Sequence, residues 1–147
     1  MSKPPFSWPT ATKEELLALA RSSDEETRVT ALSYLRDHLA AGTWPEPEQV
    51  QVAQQIVNLA SHRLPSRVLE ELLRCVTASG SLKGIDREPL LDAMKLETFR
   101  LPEYLDALSC CGPEGEHVLE EYRTHPDPQV RKKAASLLRP FHTKGQR

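Results

Sequence analysis

Five histidines (His38, His62, His117, His125 and His142) are the residues to question first for metal or acid–base chemistry. A helical zinc site needs two of them on one face, and no two lie at i, i+4 or beside a carboxylate at such a spacing. They read as surface or satisfied core histidines. Of three cysteines, Cys110 and Cys111 are adjacent; a disulfide between neighbours closes a strained ring, and no basic neighbour in the sequence lowers a thiol pKa. They read as small apolar residues at a helix end. Glu120 with Glu121, and the run Asp24 to Glu26, could serve as acid–base groups, but their places on a helix surface and at a helix start suit solvation and capping. No GxGxxG, GxxxxGK[ST] or GxSxG segment occurs. The expectation is therefore a protein that is no enzyme and carries no cofactor and no metal.

The elements that would position any site are helices. The chain has 147 residues, enough for one domain with a continuous core. It holds 21 Leu and 13 Ala against 8 Val and 2 Ile, a bias toward straight-chain helix formers over the β-branched residues of strands. The 19 basic and 21 acidic residues give a net charge of -2, so nucleic acid is an unexpected partner. Locally the balance shifts: Arg131 to Arg147 carries only basic charges, whereas Glu103 to Asp127 is acidic apart from Arg123. No apolar run has the length of a signal core or a membrane span, so a cytoplasmic protein is expected, with no membrane partner.

Thr12 with Glu15 has the form of a capping box before Leu16 and Leu17. Ser23 with Glu26 forms a second, ahead of Ala31, Leu32, Leu35 and Leu39 at helical spacing. Residues 43–47, with two prolines, are expected to form a loop. Val52 to Ala60 and Val68 to Val76 mark a third and a fourth helix; Leu90 to Met94 and Leu101 to Cys111 mark a less regular fifth and sixth. Val118 to Tyr122 belong to a seventh, and Asp127-Pro128 opens an eighth that Pro140 should stop. The organisation expected is a Pro-rich segment over 1–11, a helical domain over 12–140 and a basic tail over 141–147.

Self-similarity ties these helices together. The segment from Asp24 to Arg36 matches Asp127 to Arg139 at a constant offset, with Asp, Arg, Ala, an apolar residue, Ser, Leu and Arg in register. Each copy follows a helix and a short turn. The pattern resembles that of the HEAT repeat family, whose second helix reads roughly Asp-Pro-x-Val-Arg-x-x-Ala-x-x-x-Leu. Asp127 to Leu138 fits at every position; the first copy lacks the proline and has Thr27 for valine. The second pair keeps Arg67 and Val68 without a preceding aspartate, and the third keeps neither. The resemblance implies an all-α fold, a short α-solenoid of about four antiparallel helix pairs. It implies that Asp24, Arg28, Asp127 and Arg131 form structural ladders between neighbouring repeats.

Stacked helix pairs expose one row of second helices, a surface suited to binding another protein. With Val68, Leu69, Leu72 and Val76 facing inward, Glu70 and Arg74 must face out. The same reasoning exposes Glu103 and Asp106 on the sixth helix and Lys133 on the eighth. These five are the expected partner-binding stripe. Trp8 and Trp44, in Pro-rich loops, are either further binding residues or caps on exposed core. The expected activity is that of an adaptor or inhibitor, such as an immunity-type protein that neutralises a toxin, working as a monomer or in a hetero-complex. The alternatives are a HEAT-like enzyme or binder acting on nucleic acid, of the glycosylase kind, and a lyase or chaperone for a cofactor.

Overall fold

The computed structural model describes residues 7 to 145 except 62, 98 and 99, with side chains through residue 139. After a 3-10 turn at Trp8–Thr10, the chain runs through α1 (Lys13–Leu19), α2 (Glu25–Ala41), α3 (Glu46–Val57), α4 (Ser66–Ala78), α5 (Glu88–Lys95), α6 (Leu101–Leu108), α7 (Gly112–Tyr122) and α8 (Pro128–Gly145). No strand occurs among the described residues, so the protein is all-helical. No helix among them is long and apolar enough to cross a membrane.

The helix starts follow from a few side chains. Thr12 and Glu15 close the expected capping box, each side chain on the other's amide at 3.1 and 2.9 Å. Ser23 does not cap α2; its neighbour Asp24 does, accepting from the Thr27 amide at 2.9 Å and the Thr27 hydroxyl at 2.6 Å. A carboxylate there also meets the positive end of the helix dipole. Residues 43–47 are not a loop throughout. Helix α3 begins at Glu46 with Pro47 in its first turn, where a missing amide donor removes no helical bond. Prolines 89, 102 and 113 occupy the same place in α5, α6 and α7. Four prolines thus sit in the first turns of helices.

Pro140 departs from expectation in the other direction. Helix α8 runs past it to Gly145, so the boundary expected at residue 140 is no break in the backbone. By that point the helix is nucleated, and proline removes one ladder bond while residues on either side keep theirs.

Helix α1 packs on α2, α3 on α4 and α7 on α8, while α2 packs on α4, α4 on α6 and α6 on α8. The even-numbered helices thus form a continuous row. Its core is Leu32 and Leu35 of α2, Val68, Leu69 and Leu72 of α4, Leu105 and Leu108 of α6 and Val130, Ala134 and Leu138 of α8, all buried. The third pair is irregular. Instead of lying along α6, α5 docks through Leu90 and Met94, and α6 packs against α7.

Candidate functional site

The outer side of the row is where the sequence placed a stripe, and the structure brings its residues together. On α4, burial of Val68, Leu69, Leu72 and Val76 leaves Glu70 and Arg74 exposed. Arg74 is anchored twice, donating to Glu70 Oε1 at 2.7 Å and to Glu71 Oε1 at 2.8 Å. Glu71 is buried, at 9 % exposure, and its other oxygen accepts from Arg36 of α2 at 3.0 Å. On α6, burial of Leu101, Tyr104, Leu105 and Leu108 leaves Glu103 and Asp106 outside. Asp106 then meets Lys133 Nζ of α8 at 2.9 Å.

Among the described residues, charge pairs cross the row at two of its three junctions: Arg36–Glu71 and Arg67–Glu26 between α2 and α4, and Asp106–Lys133 between α6 and α8. Between α4 and α6 lies a groove instead. It consists of adjoining depressions of about 310 and 210 Å³, both edged by Glu70 and Glu103 with Leu73 between them. Arg100 closes one end, held by Glu97 and by the Leu64 carbonyl at 2.7 Å. Arg74 and Asp106 flank the other end. Glu103 makes no ion pair among the described residues. The groove thus offers a leucine floor, an acidic rim and two guanidinium groups held in place, a combination suited to a complementary protein surface.

Arg36, Glu71 and Arg100 were not anticipated. Glu71 lies three residues before Arg74, a spacing that signals an ion pair on a helix. Glu97 stands at the same spacing before Arg100, whereas the Arg36–Glu71 pair carries no such signal, since its partners come from different parts of the chain.

Trp8 and Trp44 do not join this face. Trp8 stacks on Tyr34 of α2, with ring centroids 5.7 Å apart, and Trp44 lies against His38 of the same helix at 4.9 Å. Both are partly buried against the core, which favours the capping role over the binding role for this pair. The four ladder residues also act locally. Arg28 Nε donates to the Ala20 carbonyl at 3.2 Å, and Arg131 Nη1 to those of His125 and Pro126 at 2.9 and 3.0 Å. Asp127 accepts from the Gln129 amide at 2.9 Å and Asp24 caps α2. These bonds tie each second helix to the turn before it, not to a neighbouring pair as the resemblance implied. The reason is reach: an arginine one turn into a helix lies over the carbonyls left free where the preceding helix ends.

The other polar residues have local partners. His38 Nδ1 bonds the Thr43 hydroxyl at 3.0 Å, and His117 faces Glu121 at 3.5 Å. His125 stacks on Tyr122 while its Nδ1 accepts from the Asp127 amide at 3.0 Å. Glu120 pairs with Arg123 at 3.0 Å. His62 and Arg147, and the side chains of His142 and Lys144, lie outside what the structure describes. Among the described residues no three His, Cys, Asp or Glu converge as a metal site. Burial raises the pKa of Cys75, whose thiol donates to the Leu32 carbonyl at 3.2 Å, and of Cys111. Cys110 is exposed. The Tyr104 hydroxyl is pushed up to about 12 by burial and by the nearby Glu97 carboxylate.

No protein-family model, no curated protein and no solved structure matches the chain.

Proposed function

We propose that this chain is a short HEAT-like solenoid that binds another protein through the α4–α6–α8 face, as an adaptor or an inhibitor. The observation that carries the reading is the convergence of Glu70, Arg74, Glu103 and Asp106 around one leucine-floored groove, with Lys133 of the next helix in the row paired to Asp106 at its edge. The repeated Asp-x-x-x-Arg start of α2 and α8, each tied to its preceding turn, and the unbroken row of even-numbered helices support the solenoid reading. An immunity-type inhibitor is the concrete form of this proposal, since such a protein needs only a rigid complementary surface. The nucleic-acid alternative has less support, because Lys133 is engaged by Asp106 and the groove rim is acidic.

The test uses immobilised protein and compares partner retention by the natural chain, Glu103→Lys with Asp106→Asn, and Glu121→Lys on α7. Reversal at the rim is expected to weaken retention about tenfold, or about 1.4 kcal/mol. Glu121→Lys should leave it unchanged. Equal retention by all three proteins would remove the binding face from α4 and α6. Arg74 is unsuited to reversal, because a carboxylate at 74 would stand beside the buried Glu71.

A further inference from the structure

A second cleft, of about 420 Å³, lies between the 80–84 loop and the start of α7. Arg87, only 4 % exposed, forms part of its wall. A guanidinium so deep should use its whole fork, because each buried donor left without a partner costs about 1 to 3 kcal/mol. It does not: Nη1 donates to Glu114 Oε2 at 2.5 Å, whereas Nη2 has no hydrogen-bond partner among the described residues and no contact with solvent. Glu114 therefore holds one arm of a fork whose geometry suits two oxygens of one anion.

The surroundings also favour an anion. Lys83 stands exposed on the rim, and Glu114 is the one acidic lining residue against Lys83 and Arg87. Burial keeps Cys111 a neutral thiol, so it adds no negative charge. No side chain caps the start of α7, an eleven-residue helix whose positive end faces the same space. The Glu114 side chain is 44 % exposed, free to turn outward, and it stands where an incoming carboxylate or phosphate oxygen would sit.

We propose that this cleft binds the carboxylate or phosphate group of a small organic molecule, which replaces Glu114 on Nη1 as that side chain swings aside and engages Nη2 once the movement uncovers it. The volume exceeds that of the anion alone, leaving room for the body that carries it along Leu82 and Pro113.

The experiment titrates isotope-labelled full-length protein with inorganic phosphate and, separately, with acetate, following amide resonances by NMR. Saturable shifts are expected at Gly84, Gly112 and Glu114, with the tighter of the two probes identifying the anion class. Glu114→Gln removes the competing carboxylate and should tighten binding by about threefold or more, while Lys83→Ala, an exposed change, should weaken it by about twofold or more. Absence of saturable shifts up to about 50 mM of either probe, in both the natural chain and Glu114→Gln, would overturn the proposal. So would binding no tighter in Glu114→Gln than in the natural chain, or shifts confined to residues outside the cleft.

Discussion

Replacing Gly115 with alanine should destabilise the protein, although helix propensity alone predicts the reverse. Gly115 is buried in the first turns of α7, and propensity would favour alanine there by about 1 kcal/mol. A Cβ on Gly115 would fall 1.8 Å from the Leu108 carbonyl oxygen and 3.2 Å from Cys111 Cβ. The oxygen belongs to the backbone at the end of α6 and cannot turn away, so the two helices must part by more than about 1 Å. Overpacking of this kind costs about 1 to 3 kcal/mol, and a backbone clash belongs at the upper end. Net of the propensity gain, the loss is about 2 kcal/mol, or roughly 4 to 8 °C in Tm for a chain of this size. Urea unfolding followed by far-UV circular dichroism measures it directly. A variant as stable as the natural protein, or more so, would refute the close approach of α6 and α7, and with it the wall of the Arg87 cleft.

Four further outcomes follow from the contacts described. Arg36→Ala should cost about 1 to 2 kcal/mol in thermal denaturation, because it takes one of two guanidinium partners from the buried Glu71; a change within experimental error would make the α2–α4 pair a surface decoration. Arg131→Ala should cost less, about 0.5 to 1 kcal/mol, because its bonds to the His125 and Pro126 carbonyls are exposed; partner binding should survive it, and lost binding at unchanged stability would refute its structural role. The Thr27 hydroxyl and amide hold the Asp24 carboxyl below its usual pKa. A lowered folded-state value stabilises the fold above the unfolded value and is lost as pH falls through the folded one. The stability difference between the natural chain and Asp24→Ala should therefore be constant near neutrality and shrink in acid, and an unchanged difference in acid would contradict the cap. Finally, iodoacetamide on the folded protein should modify Cys110 alone, since Cys75 and Cys111 are buried thiols of raised pKa; equal labelling of all three, read by mass spectrometry, would contradict that packing.

The helices were legible because leucine and alanine recur at helical spacing and because caps such as Thr12–Glu15 are local. Glu70, Arg74, Glu103 and Asp106 were legible for the same reason: once the apolar side of a helix is known, its outer side is fixed. Prolines misled in both directions, since Pro47 within an expected loop starts α3 and Pro140 fails to stop α8. The residue type is the same in the middle of a helix and in its first turn, and only the neighbouring backbone bonds tell the two apart. The Arg36–Glu71 pair and the Arg87 fork were not legible, because each joins residues roughly thirty apart along the chain through packing that no local spacing records.

Both tryptophans lie against α2, one on Tyr34 and the other on His38. Tryptophan fluorescence, excited where tyrosine does not absorb, is consequently a gauge of the first helix pair, blind to α5 through α8, while far-UV dichroism averages over every helix. In a row whose members touch chiefly their neighbours, the two optical signals need not change together. A urea titration in which dichroism is lost before fluorescence would report unravelling that starts at α8 and travels toward α2, and the opposite order would report fraying from the first pair. Coincident curves would instead mark the row as one cooperative block, so the protein carries its own label for telling sequential from concerted unfolding.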